Sequence, residues 1–291
     1  MFKKILLATD LSKASEAVLS SVKGIKHWGV DEFILFYALG VRHVESLRST
    51  LKNMAEPELQ RQKKLIENQG LDIKLEIAPG IPSEEINKYA ENKDISLIVM
   101  GSQGESAPDY QLFKIGGVTS EILHHHNKPL MVVRPEVTGK NGKESSGASY
   151  PDLSGKILFP TDFSDNSYRA FDYLKGIISR GKNRVTLFHI QDKSKIDKHL
   201  KDKLDEFNRI DGERLQMMKK TLQGNGSKEI DTKIVYGIPT REILEEAKKD
   251  YALIVMGSQG RGFIEEIFLG SVSHNVVRNA KKSVMLIPAL R

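Results

Sequence analysis

The sequence predicts two tandem α/β domains, each built as an open, parallel, five-stranded sandwich with helices on both faces of the sheet. The second half of the chain repeats the motifs of the first half, and short β-rich runs alternate with longer stretches of helical spacing. The β-rich runs are nearly continuous in Ile, Leu and Val, which is typical of parallel strands buried on both faces. This alternation favours right-handed crossovers between parallel strands in each half.

The repeat covers a whole domain. Residues 4–12 read KILLATDLS, and residues 156–164 read KILFPTDFS. LIVMGSQG begins at Leu97 and occurs again, unchanged, from Leu253. Solenoid repeats are about 20 to 50 residues long, so a repeat of this length indicates duplication of a domain.

The predicted domains are residues 1–137 and 155–291. Between them, residues 138–154 are rich in Gly, Ser and Lys and show no apolar periodicity, which predicts a flexible linker. A chain of 291 residues also suits two domains of about 150 residues each.

Each strand is predicted from one β-rich run. The runs are residues 4–8, 33–38, 73–77, 96–100 and 130–134 in the first copy, and 156–160, 185–190, 231–235, 252–256 and 283–287 in the second. Between the second and third strands of the first copy, helical spacing is shown by Leu47, Leu51 and Met54 and later by Leu59 and Leu65.

The first helix of each copy has a predicted N-cap. Ser12 and Ser164 follow the first strand, two residues after Asp10 and Asp162 respectively. A serine hydroxyl at this position accepts a hydrogen bond from a backbone N–H of the first helical turn.

Composition excludes several classes of protein. The chain has no cysteine, which rules out disulfides, thiolate metal sites and thiol nucleophiles. No apolar run approaches the 18 to 20 residues of a membrane span, and the N-terminal apolar run is interrupted at Asp10, so we expect a cytoplasmic protein without a signal peptide. The net charge of +6 is spread along helix-like stretches, which predicts solvated faces and no nucleic-acid interface, while a small anionic ligand remains compatible.

A glycine motif follows the fourth strand of the second copy. Gly257 is followed after two residues by Gly260, and after nine more by Gly270 and Ser271. Glycines permit positive φ and close approach of a ligand, and a helix N-terminus attracts phosphate. The motif matches neither a P-loop nor a nucleophile elbow, so a plain turn is the alternative interpretation.

With these motifs the chain resembles a tandem universal stress protein, with two UspA-type domains in one polypeptide. The family pattern G-x2-G-x9-G-[ST] is met in full only in the second copy. The resemblance implies a Rossmann-like fold of the adenine nucleotide alpha hydrolase type, a pseudo-twofold between the domains, and an adenine nucleotide, ATP or AMP, in the crevice. The protein is expected to supply no metal ligands, although Mg²⁺ can accompany ATP.

The resemblance also implies a set of binding residues. Those at the tips of the first two strands would contact the base and ribose, and those of the glycine motif would contact the ribose and phosphates. They are Pro160, Thr161, Asp162, Ile190, Met256, Gly257, Gly260, Arg261, Gly262, Gly270, Ser271, Val272 and Ser273.

The first copy departs from this pattern. Eleven residues, with Glu105 and Asp109 among them, separate Gly104 from Gly116, and Gly117 stands in place of the hydroxyl residue. Negative charge near a phosphate weakens binding. We therefore expect at most a weak second site, whose residues are Thr9, Asp10, Ala38, Gly101, Gly104, Gly116, Gly117 and Thr119.

The function predicted on this basis is that of a stress-response sensor or nucleotide-binding module without catalytic residues. Two alternatives remain: a slow ATPase or nucleotidyl-transfer enzyme of the same superfold, and a protein-interaction module that binds no nucleotide. The family also implies an intrachain pseudo-dimer through the last strand of each copy, with a further homodimer as an open question.

The histidines give little information at this level. His124, His125 and His126 are consecutive, whereas helical metal ligands usually lie four residues apart, so a partly exposed helix end is the better interpretation. His189 stands alone in the sequence, and Trp28 is interpreted as a packing residue.

Overall fold

The computed structural model describes residues 1–40, 45–102, 115–134, 152–181, 183–197, 201–226, 229–260 and 269–290. The chain divides into two compact units, Met1–Asp152 and Leu153–Arg291. Residues 138–151 of the predicted linker lie outside the described residues.

The first unit contains one parallel sheet with the order β3-β2-β1-β4-β5. Its strands are β1 Lys4–Thr9, β2 Glu32–Ala38, β3 Ile73–Ala78, β4 Leu97–Gly101 and β5 Leu130–Val133. Its helices are α1 Lys13–Ile25, α2 Glu45–Glu67, α3 Pro82–Asn92 and α4 Gly117–His125, with a 3-10 turn at Lys26–Trp28.

The second unit has the same topology, β8-β7-β6-β9-β10, also parallel. Its strands are β6 Ile157–Thr161, β7 Val185–Asp192, β8 Ile230–Gly237, β9 Leu253–Gly257 and β10 Ser283–Ile287. Its helices are α5 Asp165–Ile178, α6 Lys193–Ile196, α7 Leu204–Gly224, α8 Pro239–Glu246 and α9 Ser271–Asn279, with a 3-10 turn at Lys201–Lys203.

The predicted fold class is confirmed, and each of the ten predicted strands has its counterpart within two residues at either end. The central strands are buried throughout: every residue of β6 and of β9 is buried. Continuous apolar runs therefore predict these strands well, because a parallel sheet covered on both faces has no solvent-facing side.

A crevice opens in the second unit where the strand order reverses. Strand β6 pairs with β9 only at Ile157 and Leu158, whereas it pairs with β7 up to Thr161. The carboxyl ends of β6 and β9 therefore separate, which is the geometry that places ligands in open α/β sheets.

Helix α2 buries part of the apolar set whose spacing predicted it. Leu47, Met54 and Leu65 are exposed. Leu59 is buried together with Ala55, Gln62 and Ile66, so a polar side chain occupies one buried position. Apolar spacing predicted the helix, but it did not identify the face that contacts the sheet.

The isolated aromatic and histidine residues are placed as follows. Trp28 is buried and packs against Phe2 with ring centroids 5.4 Å apart, so its interpretation as a packing residue is confirmed. His124 and His125 are exposed at the end of α4. His126 departs from the expected exposure, because it is buried and this burial lowers its pKa to about 4.

The described helices include none that combines the length and the apolar character needed to cross a membrane.

Candidate functional site

The crevice of the second unit forms a cavity of about 600 Å³. This volume lies within the range of small-molecule sites. Of the thirteen residues proposed for nucleotide binding in the second copy, eleven line this cavity: Pro160, Thr161, Asp162, Ile190, Met256, Gly257, Gly260, Gly270, Ser271, Val272 and Ser273. The other two, Arg261 and Gly262, lie outside the described residues.

A sharp turn after β6 carries Asp162 into the cavity wall. Asp162 Oδ1 accepts hydrogen bonds from the Ser164 backbone N–H at 3.1 Å and from the Ser164 hydroxyl at 2.6 Å. The Ser164 hydroxyl in turn accepts from the Ser167 N–H, which confirms the predicted N-cap of α5. Phe163, between Asp162 and Ser164, has a φ of +58°. This conformation costs about 1 to 3 kcal/mol and persists where the surrounding contacts determine the turn.

The glycines of the motif allow close packing around this turn. A Cβ at Gly260 would lie 2.7 Å from Asp162 Oδ2, and a Cβ at Gly257 would lie 2.8 Å from Asn166 Nδ2. A Cβ at Gly270 would lie 3.3 Å from the Cα of Gln259. A larger residue would therefore displace the Asp162 or Asn166 side chain at Gly260 or Gly257, and would require a small shift of the Gln259 backbone at Gly270.

The sequence analysis named positive φ as one reason for glycine in this motif, and the structure does not support that reason. Gly270 has a φ of −69°, and neither Gly257 nor Gly260 has a positive φ. Close approach alone explains why glycine is needed at these three positions.

Hydrogen bonds close the loop between β9 and α9. The Gly270 N–H donates to the Ser258 carbonyl at 2.7 Å, and the Ser273 hydroxyl donates to the same carbonyl. The side-chain amide of Asn166 donates to the Gln259 carbonyl at 3.1 Å. The first turn of α9 is thereby held at the cavity wall, where backbone N–H groups without helical partners can meet an anion.

Apolar side chains also line the cavity. They come from the strand tips and from helices α6 to α9, and they are Ile190, Ile196, Phe207, Ile210, Pro239, Ile243, Met256 and Val272. The cavity thus offers apolar surface together with Asp162 and the glycine motif, as ligand sites for amphipathic small molecules commonly do.

A buried polar network at the cavity wall was missed by sequence reasoning. His189 Nδ1 lies 2.8 Å from the Thr161 carbonyl oxygen, and its Nε2 lies 3.2 Å from Asp211 Oδ2. Gln191 Nε2 donates to Asp211 Oδ2 at 3.1 Å. His189, Gln191 and Asp211 are all buried and all line the cavity. No motif signals this network, because Asp211 lies 20 residues after Gln191 and belongs to another element.

The equivalent region of the first copy is built differently. The Thr9 hydroxyl donates to Gln62 Oε1 at 2.7 Å, and Gln62 is completely buried. Asp10 Oδ1 accepts from the backbone and hydroxyl of Ser12 and from the Ser15 hydroxyl at 2.6 Å. Ser12 caps α1 as predicted. The first strand tip is thus occupied by side chains of its own unit.

The remaining predicted residues of the first copy take positions like those of the second. Ala38 and Gly101 end strands β2 and β4, Gly116 is the N-cap of α4, and the Thr119 hydroxyl donates to the Gly101 carbonyl at 2.9 Å. A Cβ at Gly117 would meet nothing within 4 Å. Gly104, together with Glu105 and Asp109, lies outside the described residues.

In the described part of the chain there is no group of three or more His, Cys, Asp or Glu residues that could hold a metal ion.

The comparisons with known proteins agree with the fold. The chain matches the Universal stress protein family twice, over residues 1–134 and 154–288. It is 32% identical over 157 residues to "Universal stress protein MJ0577" of Methanocaldococcus jannaschii, a match that covers 46% of this chain and 96% of that protein.

Solved structures give the same assignment. The crystal structure of a universal stress protein from Archaeoglobus fulgidus superposes with a TM-score of 0.75 at 25% identity, covering 99% of this chain and 98% of that chain. A universal stress protein solved in complex with cAMP matches 46% of this chain and 96% of its own at 26% identity, with a TM-score of 0.37. Because the family model matches both halves, the chain is a tandem member of the universal stress protein family.

Proposed function

We propose that the second unit binds an adenine nucleotide, ATP or AMP, and that the protein acts as a nucleotide-dependent stress-response module. The observation that carries the proposal is the cavity of about 600 Å³, which is lined by apolar side chains and by the glycine motif. A purine base suits the apolar side chains, and a ribose with its phosphates suits the glycine motif, where the N-terminus of α9 favours negative charge.

The glycine loop supports the fit of a phosphate-bearing ligand. At Gly257, Gly260 and Gly270 a Cβ would meet neighbouring atoms at 2.8, 2.7 and 3.3 Å respectively, so the backbone lies as close to its neighbours as glycine permits. Ser271 and Ser273 add hydroxyl groups at the same wall. Arg261 and Gly262 remain part of the proposed site.

The same cavity favours binding over catalysis. His189 is engaged at both ring nitrogens, by the Thr161 carbonyl and by Asp211, so it is not available as a free general base. Asp162 Oδ1 is occupied by two donors from Ser164. Phosphoryl transfer needs a positioned nucleophile or base in addition to charge stabilisation.

The test is a calorimetric titration of the full-length protein with ATP, ADP and AMP, together with chromatography of what the denatured protein releases. We expect one strong site per chain. Asp162→Ala should weaken binding by about tenfold or more, since it removes a charged acceptor beside the glycine loop.

Asp10→Ala is the matched control, because Asp10 forms the same turn with Ser12 in the first unit. It should leave nucleotide affinity unchanged. Two equal sites would contradict the assignment to the second unit, and turnover of ATP at about 1 per second or faster would favour the enzymatic alternative.

A further inference from the structure

Helix α7 presents a buried carboxylate to the cavity. Phe207, Ile210, Asp211 and Arg214 line the cavity and have the spacing of one helix face. Asp211 retains only 8% of its surface exposed, and two of its neighbours on that face are apolar. A carboxylate in such a position is costly unless its oxygens are hydrogen-bonded.

One of the two carboxylate oxygens is already used within the protein. The Thr161 carbonyl can only accept, so the proton on His189 lies at Nδ1, 2.8 Å away. His189 Nε2 lies 3.2 Å from Asp211 Oδ2. Gln191 Nε2 donates to the same Oδ2 at 3.1 Å.

Asp211 Oδ1 is therefore the oxygen that can accept a hydrogen bond from a ligand. Arg214 Nη1 lies 3.9 Å from this oxygen, beyond hydrogen-bond distance. The Arg214 guanidinium lies over the ring of Phe163, 5.3 Å from its centroid.

In the first copy other residues stand at the corresponding positions. Its α2 buries Ala55, Leu59, Gln62 and Ile66, and α7 buries Asp211, Leu215, Met218 and Leu222 at the same spacing, so Ala55 corresponds to Asp211. Tyr37 and Leu39 correspond to His189 and Gln191 by the sequence repeat. The fold therefore forms without these three polar groups, and a buried network that costs desolvation energy accompanies only the copy with the complete glycine motif.

We propose that Asp211 determines base specificity: its Oδ1 accepts a hydrogen bond from the exocyclic amino group of a 6-aminopurine and disfavours a 6-oxopurine, whose oxygen would face it. The proposal rests on the proposed function. The base and not the ribose is assigned to Asp211, because another carboxylate of the cavity, Asp162, lies beside Gly260 of the glycine motif.

The experiment is a titration of the full-length protein with AMP, IMP and 2′-deoxy-AMP. Wild type is expected to bind AMP about tenfold or more tightly than IMP, as a hydrogen bond to a charged acceptor allows. Asp211→Ala should bring the two affinities within about twofold of each other, and so should Asp211→Leu, which retains volume without an acceptor. Glu213→Ala, which removes an exposed carboxylate from the same helix, should leave the AMP to IMP ratio unchanged.

Three outcomes would overturn this proposal while the proposed function stands. The first is equal affinity of wild type for AMP and IMP, and the second is an unchanged AMP to IMP ratio in both Asp211 variants. The third is that the Asp211 variants lose the discrimination between AMP and 2′-deoxy-AMP while they still prefer AMP to IMP. Absence of any binding by wild type would overturn the proposed function and the specificity together.

Discussion

The two copies fold the same turn after their first strand but differ in what lies behind it. In both, an aspartate accepts from a serine two residues on, and the residue between them has a positive φ, +67° at Leu11 and +58° at Phe163. Behind the turn, the first copy has Gln62 against Thr9, whereas the second has His189 and Asp211 facing a cavity. The turn depends on local hydrogen bonds and survives duplication unchanged, while the site depends on a distant helix that is free to diverge.

The two sheets also differ in how far their central strands pair. Strands β1 and β4 pair at Ile5, Leu6 and Leu7, whereas β6 and β9 pair only at the equivalents of the first two. The strands of the second copy therefore separate one residue earlier. A wider opening at the switch point gives more room between the first turn and the glycine loop.

The largest expected effect concerns Gly270. In Gly270→Val the new Cβ would lie 3.3 Å from the Gln259 Cα and 3.4 Å from the Ser258 carbonyl oxygen, so α9 must move away from the loop after β9. Both segments line the cavity, and we expect nucleotide affinity to fall by about a hundredfold, or about 2.7 kcal/mol. Calorimetry measures the loss, and circular dichroism checks that the fold persists.

Gly117→Val is the control in the first copy. A Cβ at Gly117 meets nothing within 4 Å, so this substitution should leave both fold and affinity unchanged. Equal loss from both substitutions would mean that the two crevices bind the nucleotide together, and no loss from Gly270→Val would place the phosphate site elsewhere.

The sequence predicted the parts of the site that follow one another along the chain. The eleven predicted residues that line the cavity belong to strand tips and to the glycine motif, where neighbours in sequence are neighbours in space. The network of His189, Gln191 and Asp211 was not predicted, because α7 buries Asp211 at a position where periodicity leads one to expect an apolar residue. Gln62 on α2 escaped prediction for the same reason. Helix faces that bury polar residues cannot be found from apolar spacing alone.

A smaller effect is expected at Asn166, which the first copy replaces by Ala14. The Asn166 amide donates to the Gln259 carbonyl at 3.1 Å and thereby ties α5 to the glycine loop. We expect Asn166→Ala to weaken nucleotide binding by about three- to tenfold, the value of one neutral hydrogen bond. Affinity measured by calorimetry tests this.

Asn279→Ala is the control for Asn166→Ala. Asn279 also donates its amide to a backbone carbonyl, that of Asn275, but it lies on the exposed face of α9. It should leave affinity unchanged. Equal effects of the two substitutions would show that Asn166 does not act through the loop.

The smallest expected effect concerns the N-cap serines of the two turns. Ser12→Ala and Ser164→Ala each remove an N-cap, which typically costs about 1 kcal/mol. In the first copy the Ser15 hydroxyl also donates to Asp10 at 2.6 Å and can hold the turn without Ser12, whereas in the second copy the equivalent Ser167 hydroxyl donates to the Thr161 hydroxyl at 2.8 Å.

Amide hydrogen exchange measured by NMR in the two single variants tests this difference. We expect exchange of the Ser167 N–H to accelerate about fivefold in Ser164→Ala, as the loss of about 1 kcal/mol implies, and exchange of the Ser15 N–H to accelerate only about twofold in Ser12→Ala. The order follows from the second acceptor bond at Asp10, which remains when the Ser12 hydroxyl is removed. A larger acceleration at Ser15 in Ser12→Ala than at Ser167 in Ser164→Ala would show that the Ser12 cap alone, and not Asp10, holds the turn in the first copy. The shared geometry of the two turns would then have different causes in the two copies.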